Sequence, residues 1–280
     1  MRTLAALDEL RRTLGGYRAA GERIALVPTM GNLHAGHFAL VDRARSLAER
    51  VVVSVFVNPT QFGPNEDFAR YPRSLDADAA GLLAHGCDLL FVPAAETLYP
   101  YGSANTVTVQ VPGLSDQLCG ASRPGHFTGV ATVVTKLFNA VQPDLAIFGQ
   151  KDYQQLLLVR RLVTDLCLPI EIVMAPTVRE ADGLALSSRN QYLNPAQRRQ
   201  APALYRCLQT MGERVAAGQP PAVVEAAAMA ELSAQGFVVD YAALRQAEDL
   251  AQPGAGRDQA LVGLLAARLG ATRLIDNLLF

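Results

Sequence analysis

The chain has 280 residues, half of them hydrophobic and 18% charged. That is enough apolar material for one large α/β domain or two unequal domains, and it excludes a disordered chain. A net charge of -1 and a pI near 6.4 argue against a dedicated nucleic-acid binder and leave room for a local anion site. Cys87, Cys119, Cys167 and Cys207 form no CxxC pair and sit beside apolar residues, so they read as packing residues or inert thiols rather than a zinc or redox motif. With no signal-like N-terminus and no apolar run long enough to span a bilayer, the expected setting is cytoplasmic, without a membrane or nucleic-acid partner.

In chain order, Ile24 to Val27 is a short apolar run closed by Pro28, and Val51 to Val57 is a nearly continuous β-branched run. Asp88 to Val92, Leu145 to Phe148 and Ile170 to Met174 read as three more buried strands. Helices are expected between them at Phe38 to Arg50, Leu75 to His85, Gly129 to Val141 and Asp152 to Asp165. The alternation predicts an α/β domain with a doubly wound parallel sheet. Tyr99 to Gly125 reads as irregular, with one strand at Thr106 to Val111. From about residue 176 the character changes. Asn194 and Pro195 start a helix to about Ala217, a second helix covers Ala222 to Ala234, and β-like runs follow at Phe237 to Leu244, Ala260 to Ala266 and Thr272 to Ile275. The expected division is a Rossmann-like domain over 1–176 and a smaller α+β domain over 177–280.

The strongest chemical signal is Pro28-Thr29-Met30-Gly31-Asn32-Leu33-His34-Ala35-Gly36-His37, between the first strand and the first strong helix. Such a junction presents unpaired backbone N–H groups and the positive end of a helix dipole, and Gly31 and Gly36 permit close approach of a phosphate. His34 and His37, three apart, share a helical face and can donate to phosphate oxygens. By composition, HxGH should arise by chance only about 0.005 times in this chain. A zinc pair and a pair of capping histidines are the alternatives.

Three other segments carry suitable groups. Thr177-Val178-Arg179 and Leu186-Ser187-Ser188-Arg189-Asn190 could clamp phosphate, or form solvated surface. Phe148-Gly149-Gln150-Lys151-Asp152 follows a strand: Lys151 can neutralise phosphate, and Asp152 can accept from ribose or cap the next helix. Asn58 and Gln61, after the second strand, are uncharged donors suited to a small polar acid. Arg123 and His126 precede a helix, with an exposed loop charge as the alternative for Arg123.

PTMGNLHAGH, NPTQF, YPR, RPGHFTGV, FGQKDYQQ, LSSRNQYL and the terminal TRLIDN together resemble the pantothenate synthetase (pantoate–β-alanine ligase) family, within the HxGH nucleotidyltransferase superfamily. The resemblance runs from the first strand to the C-terminus. It implies that ATP and pantoate give pantoyl adenylate and pyrophosphate, and that β-alanine then displaces AMP. It further implies Mg²⁺ with ATP, a homodimer, and a C-terminal domain closing over the active site. Met30, Gly31, Asn32, Leu33, His34, Ala35, Gly36 and His37 are implied to contact ATP, with His37, His34 and Lys151 catalytic. Gly149, Gln150, Lys151, Asp152, Val178, Leu186, Ser187, Ser188 and Arg189 would complete the ATP site. Gln61 and Gln155 would hold pantoate, with Gln61 also close to β-alanine. Many members carry a run of aspartates where this chain has Asp76-Ala77-Asp78, so no protein metal ligand is assigned. The competing expectations are a nucleotidyltransferase that joins a phosphorylated substrate to a nucleotide, and a catalytically idle nucleotide-binding or interaction protein.

Overall fold

The apolar runs pair as parallel strands because both of their faces are buried. Every residue from Ile24 to Val27, Val51 to Val53, Leu89 to Phe91 and Leu145 to Ile147 has no solvent exposure. The structure, a computed structural model, describes residues 1–64, 66–254 and 259–280. Its first elements are β1 (Arg2–Leu4), α1 (Leu7–Ala19), β2 (Ile24–Thr29), α2 (Ala35–Arg45), β3 (Arg50–Val55), α3 (Leu75–Ala84) and β4 (Leu89–Phe91). Two single-turn helices, α4 (Ala95–Leu98) and α5 (Cys119–Ser122), lead to α6 (His126–Val141), β5 (Leu145–Gly149), α7 (Tyr153–Asp165) and β6 (Glu171–Ala175). The strands form one parallel sheet in the order β1-β4-β3-β2-β5-β6. From β2 the chain winds outward on one side, then crosses back to place β5 on the other. The β2/β5 boundary is therefore a topological switch point, where open α/β sheets bind ligands beyond the strand C-termini.

The remaining elements are α8 (Pro195–Gln200), α9 (Ala203–Ala216), α10 (Pro221–Ala234), β7 (Val238–Gln246), β8 (Leu261–Leu269) and β9 (Thr272–Leu279). The last three make an antiparallel sheet over a core that includes Leu204, Leu208, Met211, Leu232, Leu244 and Leu265. The chain divides into two compact units. The first is Met1–Gly149 with Leu158–Ala175, and the second is Gln150–Leu157 with Pro176–Phe280. The parallel α/β and the small antiparallel α+β architecture are both as the sequence indicates.

Several local expectations need correction. Thr106 to Val111 pairs with no strand; the Val109 N–H donates instead to the Thr132 hydroxyl at 2.9 Å. The helix expected from Asn194 to Ala217 is two helices, because Pro202 lacks an N–H and cannot continue the α8 ladder. β2 runs through Pro28 to Thr29 rather than stopping before it. β1 and α1 had no counterpart in the sequence reading.

Gly129 on α6 allows that helix to approach the 3-10 turn Pro59–Gln61 that follows β3. A Cβ at this position would lie 2.6 Å from the Thr60 carbonyl carbon and 2.7 Å from Gln61 Cα, against backbone that has no cheap way to move. Alanine normally stabilises a helix interior over glycine by ~1 kcal/mol. Here the overpacking penalty of roughly 1–3 kcal/mol prevails. Gly129→Ala is therefore expected to lower the thermal midpoint, and an unchanged or raised midpoint in a melting experiment would show that the close approach is not a constraint.

Candidate active site

The HxGH segment closes on itself. His34 is the extended residue preceding α2, and its Nδ1 accepts the Gly36 N–H at 3.1 Å. Three residues on, His37 Nδ1 accepts the His34 N–H at 3.3 Å, completing a reciprocal capping box. The two rings lie 4.1 Å apart. Because each Nδ1 is an acceptor, the single proton of each neutral imidazole sits on Nε2. Capping, an alternative to catalysis in the sequence reading, instead sets both rings in the tautomer that can donate through Nε2.

The preceding turn is held from α3. Gly31 and Asn32 both have positive φ, 83° and 52°. A Cβ on Gly31 would meet Val55 Cγ1 at 3.0 Å and Asp78 Oδ2 at 3.1 Å, so the turn needs glycine there for space as well as conformation. Asp78, buried to 2% exposure, accepts the Asn32 N–H at 2.9 Å, the Leu33 N–H at 2.8 Å and the Ser74 hydroxyl at 3.0 Å. The Gly31 N–H donates to the Thr29 hydroxyl at 3.2 Å and the His37 N–H to the His34 carbonyl at 2.8 Å. This corrects the expectation of an unpaired N–H cradle: the N–H groups of residues 31–34, 36 and 37 already have acceptors. Asp78, which the sequence reading considered only as a metal ligand, is the clamp of this loop.

Gln61 lies close by in the same unit. Asn58, 1% exposed, accepts the Tyr99 hydroxyl at 2.7 Å and the Thr60 hydroxyl at 3.0 Å through Oδ1. Its Nδ2 must then face the other way, and it donates to Gln61 Oε1 at 3.0 Å and to the Gly129 carbonyl at 3.1 Å. Gln61 is oriented in turn, with its Nε2 donating to Met30 Sδ at 3.1 Å. The glutamine expected to hold the acid thus touches the loop expected to hold the nucleotide. Asn58, expected from the sequence as a donor to the small acid, is the hub of this arrangement. Burial raises the pKa of the Tyr99 hydroxyl, which keeps it protonated as a donor to Asn58.

The second unit carries the other groups. A 3-10 turn, Gln150–Asp152, precedes Tyr153, and Asn277 on β9 donates through Nδ2 to the carbonyls of Gln150 and Lys151, both at 2.9 Å. Lys151 Nζ lies 3.9 Å from Asp152 Oδ2, and Gln155 is part-buried on the first turn of α7. Asp276, next to Asn277, takes the Arg179 guanidinium on both oxygens at 2.6 and 2.9 Å, and Arg179 stacks 3.9 Å from the Tyr205 ring. Val178 and Leu186 pair across a short hairpin, with the Leu186 N–H donating to the Val178 carbonyl at 3.0 Å. Ser187 Oγ accepts the Arg189 N–H at 3.3 Å, capping the 3-10 turn Ser188–Tyr192. That bond uses an oxygen lone pair and leaves the hydroxyl proton for donation. The sequence signal for Asp276 and Asn277 was only their place in the terminal TRLIDN.

Burial pushes the Cys87 thiol up to about 11 and Cys207 to about 12, so neither offers a thiolate nucleophile at neutral pH. Among the described residues no group of three or more His, Cys, Asp or Glu could hold a metal ion. Arg123 is not an exposed loop charge: it grips Glu66 at 2.6 Å through both Nε and Nη2. Burial works to raise the Glu66 pKa, but the hydrogen bonds and charge of Arg123 outweigh it and bring the carboxyl down to about 2. A depressed carboxyl pKa contributes stability above the ordinary value, near 4.5, and loses it as pH falls toward 2. Glu66→Gln is therefore expected to melt below the parent at pH 7, with the gap narrowing between pH 4.5 and 2. A gap that stays constant over that range would remove the ion pair as a source of stability.

A family model described as pantoate–β-alanine ligase matches residues 2–279. Pantothenate synthetases of Chromohalobacter salexigens and Xanthomonas euvesicatoria are 58% and 56% identical, over 99% and 100% of this chain and 98% and 100% of theirs. A crystal structure of the Thermus thermophilus pantothenate synthetase superposes with a TM-score of 0.90 at 51% identity, covering 99% of each chain. The Francisella tularensis pantoate–β-alanine ligase, crystallised with a β,γ-ATP compound and β-alanine, gives 0.84 at 33% identity over 100% of this chain and 97% of that one. The chain belongs to the pantoate–β-alanine ligase family.

Proposed function

We propose a division of labour among these residues for the reaction of the family, the ATP-dependent joining of pantoate to β-alanine through a pantoyl adenylate. A pantoate carboxylate oxygen attacks the α-phosphorus of ATP and pyrophosphate leaves. The β-alanine amine then attacks the acyl carbon, loses a proton and expels AMP. Neither step needs a protein nucleophile; both need charge neutralisation and in-line positioning. His34 and His37 donate through Nε2 to phosphate oxygens as charge develops, with His37 the proton donor. Lys151, Ser187, Ser188 and Arg189 neutralise and hold phosphate. Asp152 accepts from ribose, and the Val178 backbone lies near adenine. Gly31 to Leu33, Ala35, Gly36, Gly149, Gln150 and Leu186 shape the nucleotide site. Gln61 and Gln155 hold pantoate through uncharged donors. The observation that carries this reading is the reciprocal cap of His34 and His37, which presets the tautomer a phosphate needs.

For Mg²⁺ the donor set does not build a cage. Asp78 is taken up by main-chain N–H groups, and Asp152 lies beside Lys151. The ion would arrive coordinated by the ATP phosphates, and no step is assigned to it. A homodimer and a cytoplasmic setting are part of the same proposal, both supported by the family resemblance.

His37→Ala is expected to slow pantoate-dependent pyrophosphate release by roughly 10²–10³ while weakening ATP binding much less, as for a donor whose bond strengthens in the transition state. Rapid-quench kinetics beside direct ATP titration decide it, and equal losses in both would leave His37 only a ground-state ligand. With ¹⁸O in the pantoate carboxylate, one labelled oxygen is expected in the AMP product. Unlabelled AMP, or a protein heavier by one pantoyl group in quenched reactions, would rule out the adenylate route.

A further inference from the structure

Gln61 has a second set of restraints, acting on its main chain. His126 opens α6, and its Nδ1 lies 2.8 Å from the Gln61 carbonyl oxygen. Its Nε2 lies 2.9 Å from Arg123 Nη1. A guanidinium only donates hydrogen bonds, so Nε2 must be the acceptor, and the one proton of the neutral ring belongs on Nδ1, facing the Gln61 carbonyl. The His126 N–H also donates to the Arg123 carbonyl at 3.1 Å, which brings the two side chains onto the same side of the turn. Arg123 is itself immobilised, since Nε and Nη2 meet both oxygens of Glu66 at 2.6 Å. Donors therefore converge on the Gln61 carbonyl: the Arg123 guanidinium, anchored on Glu66, holds His126 for its short bond and also reaches the same oxygen itself through Nη2, at a longer 3.4 Å.

We propose that Arg123 and His126 are positioning residues for the acid substrate: His126 fixes the main chain of Gln61, and Arg123 locks His126 in the one neutral tautomer that can do so. The proposal rests on the assignment of Gln61 to the pantoate site. Asn58 sets which way the Gln61 amide points, and the His126 bond sets where the residue that carries it stands.

Steady-state kinetics of Gln61→Ala, His126→Ala, His126→Asn and Arg123→Gln, each with ATP titrated alone and with a melting curve, test this. In His126→Asn the side-chain amide nitrogen would occupy the place of Nδ1 and keep the bond to the carbonyl. His126→Ala is expected to raise KM for pantoate about tenfold, the equivalent of one lost hydrogen bond, with kcat and ATP affinity within about twofold. Arg123→Gln, which releases the tautomer, should raise KM by a smaller factor, and His126→Asn should stay within about twofold of the parent. If His126→Ala and His126→Asn are equally impaired, or if ATP affinity falls as far as pantoate KM rises, the positioning role is overturned. If Gln61→Ala raises KM for pantoate and His126→Ala does not, the Gln61 assignment stands and only this inference fails. If Gln61→Ala itself leaves that KM unchanged, both fall together.

Discussion

The hydrogen bond from the His34 main chain to the His37 ring, with its counterpart from Gly36 to the His34 ring, constrains most of what surrounds the HxGH loop. It requires the three-residue spacing, because only residues at i and i+3 of a first helical turn can cap each other in this way. It requires His34 to be extended and α2 to start at Ala35, which in turn fixes where the preceding turn must end. That turn passes through two successive residues with positive φ, a conformation that would not hold itself. From α3, Asp78 supplies what it lacks by accepting the adjacent N–H groups of Asn32 and Leu33. A helix cap thus doubles as a chemical device, because using both Nδ1 atoms as acceptors puts the proton of each neutral ring on Nε2.

The arrangement around Gln61 follows from a steric rule in place of an electrostatic one. A parallel sheet buried on both faces leaves ligand groups to the segments after the strand ends, and the turn after β3 must then be held by what packs on it. α6 does this at very short range, which only glycine at 129 permits. Its Gly129 carbonyl meets Asn58, and its first residue, His126, meets Gln61. One helix therefore sets both the orientation of an amide and the position of its backbone. Uncharged side chains suit the task, since an amide fixed by neighbours discriminates by direction and needs no desolvated ion.

What the sequence made legible, and what it hid, divide along the same line. β2, β3, β4 and β5 were visible because burial on both faces leaves an unbroken apolar signature, and β6, a part-buried edge strand, through its Ile-Val-Met run. β1 was not, because three residues at a sheet edge carry almost no pattern. Thr106 to Val111 has the β-branched composition of a strand, yet strand formation depends on a partner with a free edge, and propensity does not report one. Pro202 carries the break between α8 and α9 in its residue type alone. At the candidate site, residues in dense motifs were readable as candidates: His34, His37, Gln61, Lys151 and Ser187. The residues that hold those in place were not, because their partners lie far away in sequence: main-chain atoms for Asp78 and Asn277, and the Arg179 side chain for Asp276. Spacing encodes local partners only.

Those hidden residues share a physical logic, and it recurs in each unit. In the first, a buried carboxylate holds two N–H groups of the loop that carries the histidines. In the second, Asn277 donates to two carbonyls of the turn that carries Lys151, and its neighbour Asp276 fixes Arg179 at the base of the Val178 to Leu186 hairpin. Successive side chains on a strand point to opposite faces, so one dipeptide on β9 secures two loops. Restraining a loop by its main chain leaves its side chains available. A loop restrained through Lys151 or Ser187 themselves would occupy the very groups proposed to meet phosphate. Rigidity and reactivity are assigned to different atoms of the same residues, and for that reason the anchoring residues lie outside the motifs they support.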